Sequence, residues 1–166
     1  KHEAHAIWRD RLMPALQAEG IHVLEYDALS IEARIGLRTY FETAVFPVLT
    51  PLAVDPSRPF PHISNLSVNL AVVIRDPAGH EHFARVKVPD VLPRFIPLPP
   101  AQSGRGVRAF VLLEDVMRSN LDILFPGTEV KGAHLFRVVR DADLVIQEDE
   151  ADDLLETVDQ GLKQSR

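Results

Sequence analysis

Ser67-Val68-Asn69-Leu70-Ala71-Val72-Val73-Ile74, then Asp76-Pro77-Ala78-Gly79, then His82-Phe83-Ala84-Arg85-Val86-Lys87-Val88 is the stretch that decides the fold. The first run is rich in β-branched residues and predicts a strand. Asp, Pro and Gly in the second run supply turn chemistry. In the third run Ala84, Val86 and Val88 alternate with Phe83, Arg85 and Lys87, the period-2 pattern of a half-buried strand. Together they predict a β-hairpin.

Outward from the hairpin, the periodicity changes to that of helices. Trp8, Leu12, Ala15 and Leu16 follow helical spacing, with Pro14 as the expected kink and Gly20 as the stop. Ile21 to Leu24 reads as a short strand. Ser30 is a candidate N-cap for a helix whose apolar positions include Ile31, Ile35, Leu37, Phe41, Ala44 and Val45, ended by Pro47. Residues 47–62 hold five prolines among apolar residues, which excludes a regular helix or a central strand and predicts a packed, Pro-stiffened loop. Residues 89–100, with Phe95-Ile96 among prolines, suit an edge strand. Val107 to Leu112 predicts another strand and Leu113 to Leu124 a helix, stopped by Pro126-Gly127. Leu135 to Val139 and Leu144 to Ile146 predict an antiparallel pair, and Ala151 to Leu162 a last helix. The expected class is α+β, two-layer, with a mixed, mostly antiparallel sheet of about five or six strands and helices mainly on one face.

Composition narrows the function. The chain of 166 residues has 46% hydrophobic and 25% charged residues, which fits one globular domain rather than a disordered chain. No apolar run is long enough for a transmembrane segment, and residues 1–10 carry no signal-peptide core. With no Cys, disulfide, thiolate-metal and thiol chemistry are excluded, and a reducing, cytoplasmic setting is the simplest reading. The net charge of −6 argues against nucleic acid as a partner. That charge is uneven: residues 141–160 hold nine acids and no Lys or Arg, whereas the remainder nets +3.

No short motif specifies chemistry. There is no phosphate-binding Gly loop ahead of a helix and no Gly-x-Ser-x-Gly elbow. His80 and His82 flank the hairpin turn, but two imidazoles are too few for a metal site, so no metal is expected. The acidic run at Glu148–Asp153 lacks the spacing of a calcium loop and suits a helix N-terminus. Phe60, His62, Ser64 and Asn65 cluster between the Pro-rich loop and the best strand. They read either as a loop that meets a ligand or partner surface, or as a structural turn satisfying its own backbone.

Phe46-Pro47-Val48-Leu49-Thr50-Pro51-Leu52-Ala53-Val54-Asp55 and Pro59-Phe60-Pro61-His62-Ile63-Ser64-Asn65-Leu66-Ser67-Val68-Asn69 closely resemble the middle, or head, domain of bacterial polyphosphate kinase, the large type that builds polyphosphate from ATP. Arg85-Val86-Lys87-Val88-Pro89, Pro93-Arg94-Phe95-Ile96, Leu124-Phe125-Pro126-Gly127, Phe136-Arg137-Val138 and Asp141-Ala142-Asp143-Leu144 follow in the same order. The resemblance implies a division at about residue 20: residues 1–19 as a helical lead-in from a preceding domain, residues 20–166 as the head domain. It implies a parent phosphotransferase that moves the terminal phosphate of ATP reversibly onto polyphosphate through a phosphohistidine, assisted by magnesium. The phosphorylated His and phosphate-holding Arg residues of that family belong to later domains. None of the seven His here matches the nucleophile, so no catalytic residue and no cofactor are carried over to this segment.

The expected role is therefore to shape the active-site channel and support a homodimer, with the remaining domains of the same polypeptide as partners. The resemblance implies a cytoplasmic parent, or one peripheral to the inner membrane. Phe60, His62, Ser64 and Asn65 are the interdomain or channel candidates, and Arg85, Lys87 and Arg94 the phosphate-path candidates. Two alternatives stand beside this: a free-standing enzyme at His62, Ser64 and Asn65, and a polyphosphate-binding or interaction module using Arg85, Lys87, Arg94, Arg105 and Arg108.

Overall fold

The structure is a computed structural model that describes residues 6–54, 63–99 and 107–139. The first helical stretch winds as a π-helical turn over Trp8–Leu12 and continues as α1, Met13–Ala18. Pro14, in the first turn of α1, has no N–H to offer the carbonyl four residues back, and the wider winding just ahead of it accommodates the ring. Gly20, at φ 70°, ends the helix in the left-handed region. β1, Ile21–Val23, follows.

Ser30 caps α2, Ile31–Tyr40, accepting the Ala33 N–H at 3.2 Å as the sequence predicts. The helix continues through a π-helical turn, Phe41–Val45, and a 3-10 turn, Phe46–Val48, where Pro47 sits in a fresh first turn. Its buried stripe is Ala33, Leu37, Phe41 and Val45, spaced four apart, whereas Ile31 and Ile35 are exposed.

Among the described residues seven strands form two sheets rather than the single one expected, within the α+β class. The first has order β1-β6-β5, built from β1, β5 (Phe95–Pro97) and β6 (Arg108–Leu112). β1 runs parallel to β6, pairing Ile21 with Arg108, and β5 is the antiparallel edge predicted from its prolines. The second sheet has order β2-β4-β3-β7 and is antiparallel throughout. Its members are β2 (Pro51–Val54), β3 (Val68–Arg75), β4 (Glu81–Lys87) and β7 (Glu129–Arg137). β3 and β4 are the predicted hairpin. β2 is a strand where a loop was expected; Pro51 is tolerated because it opens an edge strand. β7 begins six residues before the expected Leu135, because β3 also pairs with Ala133, Gly132, Val130 and Glu129, with Lys131 as the extra residue of a bulge opposite Val73/Ile74. Leu144–Ile146 and the last predicted helix lie outside the described residues.

After β6 the chain enters α3, Leu113–Ser119, and then α4, Leu121–Leu124. The break in the predicted continuous helix falls at Asn120, whose buried side chain donates to the Val116 carbonyl at 2.8 Å. Leu70, Val72 and Val86 of one sheet, Ala109 and Val111 of the other, and Phe41, Val116, Met117 and Leu121 of the helices form one buried cluster. Strand alternation puts the core residues on one face of the four-stranded sheet. Asn69, Ala71, Phe83, Arg85, Lys87 and His134 therefore lie on the opposite, outer face.

Candidate functional site

Two of the four loop candidates are described. Ile63 is buried and anchors the turn into β3; Ser64 and Asn65 behind it are exposed. The Ser64 carbonyl accepts both the Ser67 N–H at 3.3 Å and the Ser67 hydroxyl at 2.7 Å. Leu66 is held at φ 61°, and its N–H donates to the Val138 carbonyl at 2.8 Å. The Asn69 amide donates to the carbonyl and hydroxyl of Ser67, at 3.0 Å each. This knot fixes the turn from inside. Among the described residues no His or carboxylate hydrogen-bonds the Ser64 hydroxyl. Phe60 and His62 lie outside the described residues.

The three phosphate-path candidates fall in two places. Arg85 and Lys87 sit on the outer face of β4, opposite Ala71 and Asn69 of β3. Lys87 holds Asp90 at 2.6 Å, and Arg85 is only 9% exposed. Arg94 belongs to the other sheet, just before β5. Its Nε contacts both Glu114 carboxylate oxygens, at 3.0 and 3.2 Å, and its Nη2 contacts one of them as well. Glu114, in the first turn of α3, is 4% exposed, and its carboxylate pushes the Arg94 pKa up. The Arg94 carbonyl accepts the Leu113 N–H, so backbone and side chain both tie the Pro-rich stretch to α3. Arg105 lies outside the described residues, and Arg108 is an exposed residue at the start of β6.

Other polar groups also come together, at the hairpin turn and beside α3. His82 Nε2 lies 2.9 Å and His80 Nδ1 3.4 Å from the same Asp76 oxygen. The bond to His82, then the His80 N–H, hold the Asp76 carboxyl down at about 2. Glu25, Asp27 and Asp115 line a cavity of about 320 Å³ with Arg118. Burial raises the Asp115 pKa, opposed by Arg118 at 2.7 Å and reinforced by Glu114, Glu25 and Asp27. An apolar cavity of about 440 Å³ opens between α2 and β5, lined by Ala33, Gly36, Tyr40, Pro93 and Ile96. Among the described residues no three His, Cys, Asp or Glu side chains are grouped to hold a metal ion. No helix among them is long and apolar enough to cross a membrane.

Comparison with known proteins follows the same outline. A family model described as polyphosphate kinase middle domain matches residues 32–166. A polyphosphate kinase of Aphanizomenon baltica is 51% identical over 162 residues, covering 94% of this chain and 42% of that protein. One from Prochlorococcus marinus is 47% identical, covering 96% of this chain and 23% of the other. The crystal structure of polyphosphate kinase from Porphyromonas gingivalis superposes with a TM-score of 0.75 at 30% identity, over 93% of this chain and 25% of that one. The chain thus spans less than half the length of each of these relatives.

Proposed function

The chain belongs to the polyphosphate kinase middle-domain family, and from that premise we propose that it is the non-catalytic middle domain of a polyphosphate kinase. The parent transfers the terminal phosphate of ATP reversibly to polyphosphate through a phosphohistidine, with magnesium supplying charge neutralisation. ATP as donor places that parent in the cytoplasm. The domain, extending over residues 20–166 with 1–19 as its lead-in, helps shape the active-site channel and hold two copies together.

The observation that carries this reading is the commitment of its cations. Phosphoryl transfer needs several positive groups converging on the phosphates. Here Lys87 is held by Asp90 and Arg94 by Glu114, in different sheets. The described donor set therefore does not fit ATP with magnesium, and no reaction step is assigned to these residues.

The contact to neighbouring domains is assigned to the loop around Phe60, His62, Ser64 and Asn65. The well-bonded turn at Ser64–Ser67 supports it by fixing the point where that loop meets β3. Phe60→Ala and His62→Ala in the full-length parent test this. Reduced polyphosphate synthesis or a weakened dimer is expected; unchanged synthesis together with an unchanged dimer overturns the assignment.

A further inference from the structure

The turn that enters β3 is strained at Leu66, which sits at φ 61°. A side chain with a Cβ is unfavourable there; Gly adopts the region freely and Asn tolerates it. Asn65 stands one position too early to take it. The conformation is held from both sides. The Leu66 N–H donates to the Val138 carbonyl at 2.8 Å, and the next residue is tied back to the Ser64 carbonyl through the Ser67 N–H and hydroxyl. The buried Asn69 amide then clamps Ser67 with two bonds of 3.0 Å. Backbone strain that its surroundings over-determine in this way concentrates at functional sites.

The fold itself gains little from a leucine at this position. Its side chain is 58% exposed and stands outside the hydrophobic cluster of the core. The hydrogen bond made by residue 66 is a backbone bond that Gly would make as well. What Leu adds to Gly is therefore an apolar group presented outward. Val139, next to the carbonyl that Leu66 bonds, is 72% exposed and extends the same apolar surface. Ser64 and Asn65 are the exposed polar residues beside it. Residues 59–74 hold no Lys, Arg, Asp or Glu. A phosphate chain needs cations to hold it, and this turn has none. Its chemistry fits an apolar, uncharged protein surface.

We propose that Leu66 is the apolar anchor through which this domain packs into a recess on another domain of the parent polypeptide. The proposal rests on the reading of the neighbouring loop as an interdomain contact and names the residue that carries it. Relatives have the additional chain to supply such a recess, since this chain covers 42% and 23% of two of them. Burying a leucine side chain favours association by roughly tenfold or more, which offsets the strained turn. The hydrogen bonds from Ser67 and Asn69 keep the anchor in its outward pose before the domains meet, so little ordering is left for the contact itself.

Photo-leucine, a diazirine analogue, incorporated for leucine in the full-length parent tests the contact. Links formed on irradiation are mapped by peptide mass spectrometry. The expected result is a link from position 66 to a residue outside this domain. Links from position 66 confined to residues 20–166, or none, overturn the proposal. Leu66→Gly is the second arm. The isolated 166-residue chain should keep or raise its Tm, while polyphosphate synthesis by the full-length variant falls roughly tenfold. A lower Tm removes the strain on which the proposal is built, and unchanged synthesis removes the anchor. Phe60→Ala and His62→Ala run alongside. If they lower synthesis and Leu66→Gly does not, the anchor fails and the loop contact stands. If none of the three changes synthesis, both fail.

Discussion

Replacing Arg94 with Ala leaves Glu114, a carboxylate 4% exposed, without its cation. Removing one member of a fully buried ion pair costs about 3–5 kcal/mol. The Arg94 side chain is 44% exposed, so water reaches the vacated side, and roughly 2 kcal/mol is expected after that discount. For a chain of this size that lowers Tm by about 4–8 °C. Urea unfolding followed by circular dichroism measures it, with an unchanged m value showing that the same surface is exposed. The double variant Arg94→Met, Glu114→Met is expected to lose less than Arg94→Ala, because no charge is stranded. A loss under about 0.5 kcal/mol for Arg94→Ala refutes the reasoning. So does a double variant less stable than the single one. If Arg94 instead serves a phosphate chain, its substitution leaves stability intact and weakens polyphosphate binding.

Leu66 is 58% exposed at φ 61°, so Leu66→Gly relieves left-handed strain with little packing loss and should stabilise the chain by about 0.5–1 kcal/mol in the same assay. Gly36 lies inside α2 with open space where a Cβ would stand, so Gly36→Ala should add about 0.5–1 kcal/mol. Asp76 has a depressed pKa of about 2, so its contribution is present above the ordinary carboxylate value near 4 and is lost as pH falls toward 2. Asp76→Asn should therefore lower Tm at pH 6 and make little difference near pH 2. The raised Asp115 carboxyl has the opposite sign, since the fold disfavours its charged form. Asp115→Asn should raise Tm above pH 5, with the gain shrinking as pH falls through the ordinary carboxylate range.

What the sequence displayed and what it concealed divide along the range of the interactions involved. The β3–β4 hairpin, the Ser30 cap and the proline-bounded β5 edge each depend on residues close in the chain, and all are found in place. The split into two sheets was hidden, because it depends on Ile21 pairing with Arg108 across most of the chain. β2 was hidden by Pro51 and the prolines around it, whose chemistry forbids a central strand but permits an edge. Ile31 and Ile35 fit a helical apolar pattern, yet the face that packs is the neighbouring one through Leu37 and Phe41.

The site shows the same division. Ser64 and Asn65 were legible as a polar turn before a strand. The Arg94–Glu114 pair was not, since Glu114 reads equally well as an ordinary first-turn acid of α3. Arg85 and Lys87 were legible as the polar face of the alternating β4 strand, whereas Asn69, inside a β-branched run, gave no sign that it would be buried on that face. The burial of Arg85 beside it had no counterpart in the alternating pattern.

Incubating the purified 166-residue chain with ATP labelled at the terminal phosphate, and with magnesium, tests most directly whether this domain is free of the chemistry. The expected result is no label on the protein and no polyphosphate formed. An acid-labile label on any of its His residues, or ATP consumed by the chain alone, contradicts it.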